Sequence, residues 1–366
     1  MPKHFTQNDF LLSETAVLPG NEVLELQAEA PSNIALVKYW GKKSGGVQLP
    51  MNASLSFTLS RSKTQTRARL TPLEKPAGQV SFDVRLDSRP RPDFAPKMAR
   101  FFERIAPYAP YIRFYRWEID SHNSFPHGSG IASSASGFAA MARLVMQLGE
   151  QLGLACNGDF CVAKTSFLAR LGSGSAARSV AEPVMLWGRD DNFPESSDLY
   201  AVRPAFDLHP SFDDVRDTIV LIDRGVKPVS STRGHELIHQ HPFRKARLET
   251  ARKNLLALAG ALQTGDWEAF GRVLEAEALM LHALMATSNP PYILIQPETL
   301  RLIRDLQDWR NRTGRPVYFT LDAGANVHLL YPAAEHQAVL DLLKNTLPEL
   351  YAAKQYIPDK VKSGID

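Results

Sequence analysis

Short runs of alternating apolar and polar residues recur along the chain and predict β-strands. In the first half these runs lie at 23–30, 54–59, 66–70, 80–84 and 112–119. In the second half they lie at 218–222, 316–321, 326–330 and 353–357. Turn-forming residues separate the runs, as is typical of strands that fold into sheets.

Apolar residues at helical spacing predict helices between and after these strands. The predicted helices cover 94–105, 134–152, 159–171, 245–262, 267–285, 298–311 and 333–345. Because strands and helices are mixed without a regular β-α-β alternation, we predict an α+β fold rather than a doubly wound sheet. The stretch 189–210, rich in Pro and Asp, is interpreted as the passage between two domains, 1–205 and 206–366.

A chain of 366 residues, 44% apolar and 22% charged, is typical of a globular protein with two domains. Its net charge of +3 is too small and too scattered to indicate nucleic-acid binding. The N-terminal stretch lacks the apolar core of a signal peptide, and no apolar run has membrane-spanning length. We therefore expect a cytoplasmic enzyme or binding protein with no membrane partner. Only two cysteines occur, Cys156 and Cys161, which we interpret as buried packing residues.

The segment 124–137 is rich in glycine and serine and lies between a predicted strand and a predicted helix. The free N–H groups and positive dipole end of a helix start attract anions, so this arrangement predicts a phosphate cradle. Gly128 and Gly130 permit close backbone approach, and Ser133 and Ser134 add hydroxyls for phosphate or Mg²⁺. The segment contains neither a Walker A nor a Rossmann pattern. A serine-capped helix packed through small residues is the structural alternative.

Three further segments carry candidate chemistry. Lys38 interrupts an apolar run, where its burial requires an anion unless its ammonium reaches solvent at a strand end. Arg178 ends the small-residue segment 172–179, which can form a second anion-binding turn or a solvated serine-rich turn. Asp322 begins an Asp-Ala-Gly-Ala-Asn turn between two predicted strands, either as a base or as an ordinary hairpin residue.

The string His235-Glu236-Leu237-Ile238-His239 matches the H-E-x-x-H pattern of zinc proteases. On a long helix the two histidines would share one face and bind Zn²⁺, with Glu236 as the base. Arg233-Gly234 before the string and Pro242 after it allow barely two helical turns. We therefore favour a short exposed polar helix and keep the zinc protease as a remote alternative.

Taken in order, these segments resemble the diphosphomevalonate decarboxylase family of the GHMP kinase superfamily. The matching segments are 33–43, 125–137, 172–179, 230–232, 282–283, 289–291 and 318–326. The resemblance implies an N-terminal domain like ribosomal protein S5 domain 2 and a ferredoxin-like C-terminal domain with added helices. It also implies ATP-dependent decarboxylation of mevalonate 5-diphosphate to isopentenyl diphosphate in the cleft between the domains, with ATP and Mg²⁺. Members of the family are commonly homodimers.

The resemblance also assigns roles to individual residues. It makes Asp322 the catalytic carboxylate, with Lys38 beside it and Arg178 orienting the substrate carboxylate. The positions matching the diphosphate site are Tyr39, Lys42, Ser173, Gly174, Ser175 and Ser231. The positions in the ATP loop are Gly128, Ser129, Gly130, Ala132, Ser133 and Ser134, of which Ser134 would contact Mg²⁺.

The chain departs from the family pattern at four places. His127, Gly128 and Ser129 interrupt the ATP loop, and Ala325 replaces a proline and is expected to loosen the catalytic turn. The stretch 180–183 replaces the usual aromatic and glycine-rich residues, and Arg233 offers an extra phosphate contact. These departures leave alternatives open. They are a GHMP kinase that stops at phosphorylation, a decarboxylase of another phosphorylated mevalonate, and a nucleotide-binding protein without turnover.

Overall fold

The strands of the first half form one six-stranded sheet over the described part of the chain. The computed structural model describes residues 4–13, 20–126, 131–154, 156–181, 183–223, 225 and 231–361. The strands are β1 Leu24–Ala35, β2 Ser54–Pro72, β3 Phe82–Leu86, β4 Arg89–Pro90, β5 Tyr115–Asn123 and β6 Val184–Trp187. Their order is β1-β2-β5-β3-β4, with β6 paired to β2; β3 and β5 run parallel, and the other pairs run antiparallel.

One strand, β2, replaces the two separate strands predicted at 54–59 and 66–70. The polar middle of β2 predicts a turn, but it stays extended because a carboxylate from the far end of the chain binds its backbone N–H groups. Asp359 accepts hydrogen bonds from the backbone N–H groups of Ser60 (3.2 Å), Arg61 (2.8 Å) and Ser62 (2.6 Å). The opposite strand carries a register shift between Pro31 and Asn33, so this part of β2 needs a partner outside the sheet.

The first sheet is covered by α1 Ala95–Ile105, α2 Ser133–Gln151 and α3 Gly158–Gly172. These helices confirm the predicted ones to within one or two residues at each end. Small side chains on α2, among them Ala135, Ala139 and Ala142, are fully buried and let the helix pack closely on the sheet. That packing fixes the first turn of α2 beside the sheet edge where β1 ends.

The second half contains a four-stranded antiparallel sheet, ordered β10-β7-β9-β8. Its strands are β7 Val215–Val220, β8 Tyr318–Thr320, β9 Val327–Pro332 and β10 Tyr356–Lys360. The helices are α4 Ser231–Leu237, α5 Arg244–Thr264, α6 Trp267–Ala286, α7 Pro297–Thr313, α8 His336–Thr346 and α9 Pro348–Ala352. Two separate sheets with helices grouped around them confirm the predicted α+β class.

The sequence patterns missed or misplaced several elements. The strand β6 is a four-residue buried run without alternation, and the short helix α9 begins at a proline, so neither was predicted. The last strand therefore lies at Tyr356–Lys360 instead of 353–357. The run 112–119 begins as a 3₁₀ helix, Pro110–Phe114, because Pro110 supplies the first-turn conformation.

The two halves of the chain share an apolar cluster. Phe57 and Leu59 of β2 lie in it with Leu255 of α5, Phe270 of α6 and Val361, all of them less than 5% exposed. The rings of Phe57 and Phe270 stack with centroids 6.1 Å apart. This continuous core holds the end of β1 close to α5 and α6.

Cys156, in the α2–α3 connection, forms a disulfide with Cys161 near the start of α3, with Cα atoms 5.2 Å apart. Both side chains are half-exposed, so the expectation that they are buried packing residues was wrong. The reason is that they flank the start of α3, where the connection runs over the surface. Across the described residues, no helix combines the length and the apolar character that a membrane crossing requires.

Candidate active site

Lys38 lies just beyond the end of β1 and is buried, with 1% of its surface exposed. Its ammonium Nζ donates to the Asp322 Oδ1 at 2.9 Å and to the Ala35 carbonyl at 2.6 Å. The alternative in which this lysine reaches solvent is therefore wrong. Burial lowers the pKa of Lys38, and the charge of Asp322 and its hydrogen bond oppose that shift.

Asp322 begins the turn between β8 and β9, and its side chain is 28% exposed. The ring of His282, on α6, donates from Nε2 to the Asp322 carbonyl at 3.1 Å. The turn is also anchored at Ala325, whose carbonyl accepts from the Thr299 hydroxyl at 2.8 Å. Asn326 exchanges two side-chain hydrogen bonds with the backbone of Asp223, at 2.8 and 2.9 Å. These anchors counter the loosening expected from Ala325, so the carboxylate is presented by a held turn.

Arg178 ends a 3₁₀ helix, Gly174–Arg178, that follows α3, and it is 2% exposed. Its Nε and Nη1 groups are buried and have no hydrogen-bond acceptor among the described residues. Burial lowers the pKa of Arg178 to about 10, while Asp322 and Tyr39 oppose the shift. A buried guanidinium with two unsatisfied donors favours binding of an anionic acceptor such as a carboxylate.

The serine segment before Arg178 joins the two phosphate loops predicted from the sequence. The Ser173 hydroxyl lies 3.3 Å from the Ser175 hydroxyl and 3.3 Å from the Ser134 hydroxyl, at the start of α2. Gly174 leaves room for Tyr39, because a Cβ on Gly174 would lie 2.7 Å from the Tyr39 hydroxyl. These small residues therefore form a floor on which hydroxyl groups converge.

Together with Ser134, Ser173 and Ser175, the side chains of Tyr39 and Lys42 form the polar wall of the site. The Tyr39 hydroxyl is buried without a hydrogen-bond partner among the described residues, and burial raises its pKa. Burial and the positive charge of Arg104 lower the pKa of Lys42. A buried hydroxyl beside partly desolvated cations is suited to bind a phosphate group.

The predicted ATP loop is described only in part. Gly128, Ser129 and Gly130 lie outside the described residues. Ala132 precedes α2 with φ of 44°, in the left-handed region, and Ser133 is the first residue of the helix. Ser134 is exposed. The backbone of Ser231 begins α4, and its side chain lies outside the described part.

Sequence reasoning missed the ion pair that holds Lys38 in place. Glu277 of α6 and Arg247 of α5 are 0% and 1% exposed, and their side chains pair at 2.7 and 2.8 Å. Glu277 also accepts from the Lys38 N–H at 2.8 Å, and Arg247 donates to the Lys38 carbonyl at 2.9 Å. The available signal was Glu277 itself, a carboxylate in the apolar run of α6. The pair clamps the backbone of the lysine from both sides.

The H-E-x-x-H string does not form the short exposed polar helix that the sequence predicts. His235 is buried, 7% exposed, and its ring packs against Tyr39 and Trp40, whereas His239 is exposed on the following 3₁₀ turn. The prediction of a short exposed polar helix was therefore wrong for His235, because Gly234 lets α4 approach Trp40 closely. No three His, Cys, Asp or Glu side chains within the described ranges cluster as a metal site.

Three features together define a class of protein: the half-buried Lys38–Asp322 pair, the two Arg178 donors without acceptors among the described residues, and the serine floor between the two sheets. They are the parts of an α+β enzyme that binds an anionic substrate beside a carboxylate and transfers a phosphoryl group. The profile of the diphosphomevalonate decarboxylase-like N-terminal domain matches residues 30–201. That of the mevalonate 5-diphosphate decarboxylase C-terminal domain matches residues 218–365.

Sequence similarity to known diphosphomevalonate decarboxylases extends over most of the chain. The diphosphomevalonate decarboxylase of Eremothecium gossypii is 32% identical over 324 residues, covering 85% of this chain and 78% of that protein. The Ganoderma lucidum enzyme is 29% identical over 350 residues, covering 89% and 83%. The chain belongs to the diphosphomevalonate decarboxylase family.

Solved structures of the family share the fold. Mevalonate diphosphate decarboxylase from Staphylococcus aureus aligns with a TM-score of 0.79 and 30% identity, covering 94% of this chain and 98% of that one. MDDEF in complex with MVAPP, AMPPCP and magnesium aligns with a TM-score of 0.79 and 28% identity, covering 94% and 99%. The two-domain GHMP kinase-like architecture implied by the sequence is thereby confirmed.

Proposed function

We propose how this member of the family carries out the ATP-dependent decarboxylation of mevalonate 5-diphosphate. The products are isopentenyl diphosphate, ADP, phosphate and CO₂. The observation that carries the proposal is the half-buried ion pair of Lys38 with Asp322, next to an Arg178 guanidinium whose Nε and Nη1 lack acceptors among the described residues. In this proposal Asp322 acts at the C3 hydroxyl of the substrate, Lys38 holds that carboxylate, and Arg178 orients the carboxylate of the substrate.

Phosphoryl transfer comes first. A tertiary hydroxyl is a weak nucleophile, so Asp322 accepts or orients the proton of the C3 hydroxyl. The C3 oxygen then bonds to the γ-phosphorus of ATP as the bond between that phosphorus and ADP breaks. The Lys38 ammonium, 2.9 Å from the Asp322 carboxylate, holds that group in place. Because the Arg247–Glu277 pair holds the Lys38 backbone, the position of the Lys38 ammonium beside Asp322 is fixed before the substrate binds.

Decarboxylation follows from the tertiary phosphate. The C3–O bond breaks as phosphate leaves, the bond to the carboxylate carbon breaks as CO₂ leaves, and that electron pair forms the new double bond. The substrate carboxylate is the electron source, so tight charge pairing with Arg178 would oppose the step. Arg178 therefore contributes mainly by geometry, through its planar donors.

The diphosphate is held by the wall described above. We assign its contacts to Tyr39, Lys42, Ser173, Gly174, Ser175 and Ser231. The convergence of the Ser173, Ser175 and Ser134 hydroxyls supports this assignment, because hydroxyl donors placed together fit phosphate oxygens.

ATP and Mg²⁺ fit the start of α2. Within its described part this site offers the first-turn N–H groups of the helix and the hydroxyls of Ser133 and Ser134, donors that suit phosphate and a hard cation. We assign nucleotide contacts to Ala132, Ser133 and Ser134 together with Gly128, Ser129 and Gly130, and metal contact to Ser134. Bound Mg²⁺ would neutralise charge on the transferred phosphate.

The proposal extends to the organisation of the protein. We assign residues 1–205 to the ATP-binding domain and 206–366 to the C-terminal domain, and we propose a cytoplasmic homodimer. The break between the two sheets, from Trp187 to Val215, supports the domain division. Size-exclusion chromatography with light scattering would measure the mass of the assembly against the 40.7 kDa of one chain.

The test is an assay with mevalonate 5-diphosphate, ATP and Mg²⁺ that follows ADP and CO₂ together. We expect equal amounts of both. Release of ADP without CO₂ would show a kinase that stops at phosphorylation. Absence of both products, with mevalonate 5-phosphate and mevalonate 3-phosphate then tested in turn, would show another substrate or a binding protein without turnover.

A further inference from the structure

His235 is left without a role by the proposed mechanism, although it is buried against the wall that faces the diphosphate. It lies on α4, in the second half of the chain, yet its ring contacts residues of the first half. Its centroid is 4.3 Å from that of Tyr39 and 4.7 Å from that of Trp40. Its Nδ1 lies 2.9 Å from the backbone nitrogen of Gly41.

This hydrogen bond determines where the imidazole carries its proton. A backbone N–H can only donate, so the Nδ1 of His235 must accept, and the neutral ring carries its hydrogen on Nε2. Burial, reinforced by the charge of Lys42, lowers the pKa of His235 to about 3. The ring is therefore neutral at physiological pH, and the contact with Gly41 persists.

Tyr39 is held on its other side by Trp187. The two rings meet edge to face with centroids 4.7 Å apart. Below them, Gly174 leaves the space that the Tyr39 hydroxyl occupies. The hydroxyl is buried without a partner among the described residues, so the packing of the ring alone sets its direction. A residue that packs against the Tyr39 ring therefore controls where the Tyr39 hydroxyl can donate to the diphosphate.

We infer that His235 is a positioning residue for the diphosphate: it fixes the Tyr39 ring by packing and the Gly41 backbone by accepting its N–H. In this way α4 completes a site whose other parts come from the first half of the chain. The inference rests on the proposed assignment of Tyr39 to the diphosphate. Gly41 has φ of 98°, a conformation that glycine adopts readily and few other residues do, and His235 holds the backbone of this turn by accepting the Gly41 N–H.

Two substitutions separate the two contacts. His235→Phe keeps an aromatic ring beside Tyr39 but removes the acceptor, whereas His235→Asn places an oxygen near the Nδ1 position and removes the ring. Loss of one buried hydrogen bond changes binding by roughly tenfold. We expect His235→Phe to raise the KM for mevalonate 5-diphosphate by about tenfold and His235→Asn by about threefold. In both variants the kcat and the KM for ATP should stay within about twofold, because the lost contact acts on ground-state binding.

The matched control is His239→Phe, since His239 belongs to the same H-E-x-x-H string but is exposed. It should leave every kinetic constant unchanged. A purely structural role of His235 would instead lower the melting temperature and leave the KM for mevalonate 5-diphosphate at the wild-type value, and that result would overturn the inference.

A double-mutant cycle with Tyr39→Phe tests the coupling. We expect the KM of the double variant Tyr39→Phe/His235→Asn to be close to that of Tyr39→Phe alone, because the ring that His235→Asn removes acts through the Tyr39 hydroxyl, which is already absent. Effects that multiply would show independent action and overturn the inference. An unchanged KM in Tyr39→Phe would remove Tyr39 from the diphosphate site and the inference with it. Absence of CO₂ release by the wild-type chain would count instead against the proposed function.

Discussion

Replacing Glu277 with glutamine should destabilise both the fold and the segment that carries Lys38. In the folded chain the Glu277 carboxylate accepts from the Lys38 N–H (2.8 Å), from Arg247 (2.7 and 2.8 Å) and from the Asn254 amide (2.6 Å). A glutamine keeps one oxygen acceptor, but it turns an N–H₂ group toward donors. Arg247 then remains as a buried cation without a counter-charge.

The expected loss is set by that uncompensated charge. Removing one member of a buried ion pair costs about 3–5 kcal/mol, a large share of the ~5–15 kcal/mol that stabilises a typical domain. Although burial opposes it, Arg247 holds the pKa of Glu277 below its ordinary value of 4.5. This group therefore contributes stability that is present above pH 4.5 and is lost as the pH falls through the lower folded-state pKa.

Urea unfolding at pH 7, followed by circular dichroism, measures the effect. We expect Glu277→Gln to lower the free energy of unfolding by about 3–5 kcal/mol, with the difference from wild type narrowing at acidic pH. At pH 7 the kcat should also fall, because the Lys38 backbone loses its clamp. The double variant Arg247→Met/Glu277→Met should recover most of the stability, since it removes both charges of the pair together.

The matched control is Glu268→Gln on the same helix. Glu268 pairs with Arg272 at 2.6 Å, but its side chain is 79% exposed. Solvent screens such a pair, so the free energy of unfolding should change by no more than about 0.5 kcal/mol. If Glu277→Gln were as mild as this control, the buried pair would not hold the lysine segment, and the argument would fail.

Three further predictions test the site and the link between the halves. Asp322→Asn should lower kcat by on the order of 10²–10⁴-fold while the dissociation constant for ATP, measured by calorimetry, stays near wild type; normal turnover would remove Asp322 from the mechanism. Arg178→Lys should lower kcat/KM by on the order of 10²-fold in the coupled ADP–CO₂ assay, because an ammonium lacks the planar donors; a near-normal rate would mean that Arg178 contacts no substrate carboxylate. Asp359→Asn should cost about 1–3 kcal/mol in urea unfolding, because the amide N–H₂ would face either the N–H of Ser62 or the N–H groups of Ser60 and Arg61. If the urea concentration at the midpoint of unfolding were the same for Asp359→Asn and wild type, the Asp359 carboxylate would not stabilise β2.

Local patterns of the sequence determined most of the elements. Apolar spacing predicted α2 and α3 to within one or two residues, because the register of apolar positions is a property of each helix alone. The resemblance of seven ordered segments indicated the family, and with it the candidate roles of Lys38, Arg178 and Asp322. Each helix pattern and each matching segment lies within about twenty consecutive residues, and the family resemblance adds only the order of these segments from 33 to 326.

Tertiary structure decided everything that depends on contacts between distant residues. Lys38 and Asp322 are 284 positions apart, and only the shared core of the two halves brings them within 2.9 Å. The same holds for Glu277, whose burial against Arg247 no local pattern could show. His235 belongs to a string that resembles a metal site, and only the approach of α4 to Trp40 reveals a buried neutral ring. Periodicity reports which face of an element is apolar, whereas the free energy of a buried charge depends on which groups the fold places around it.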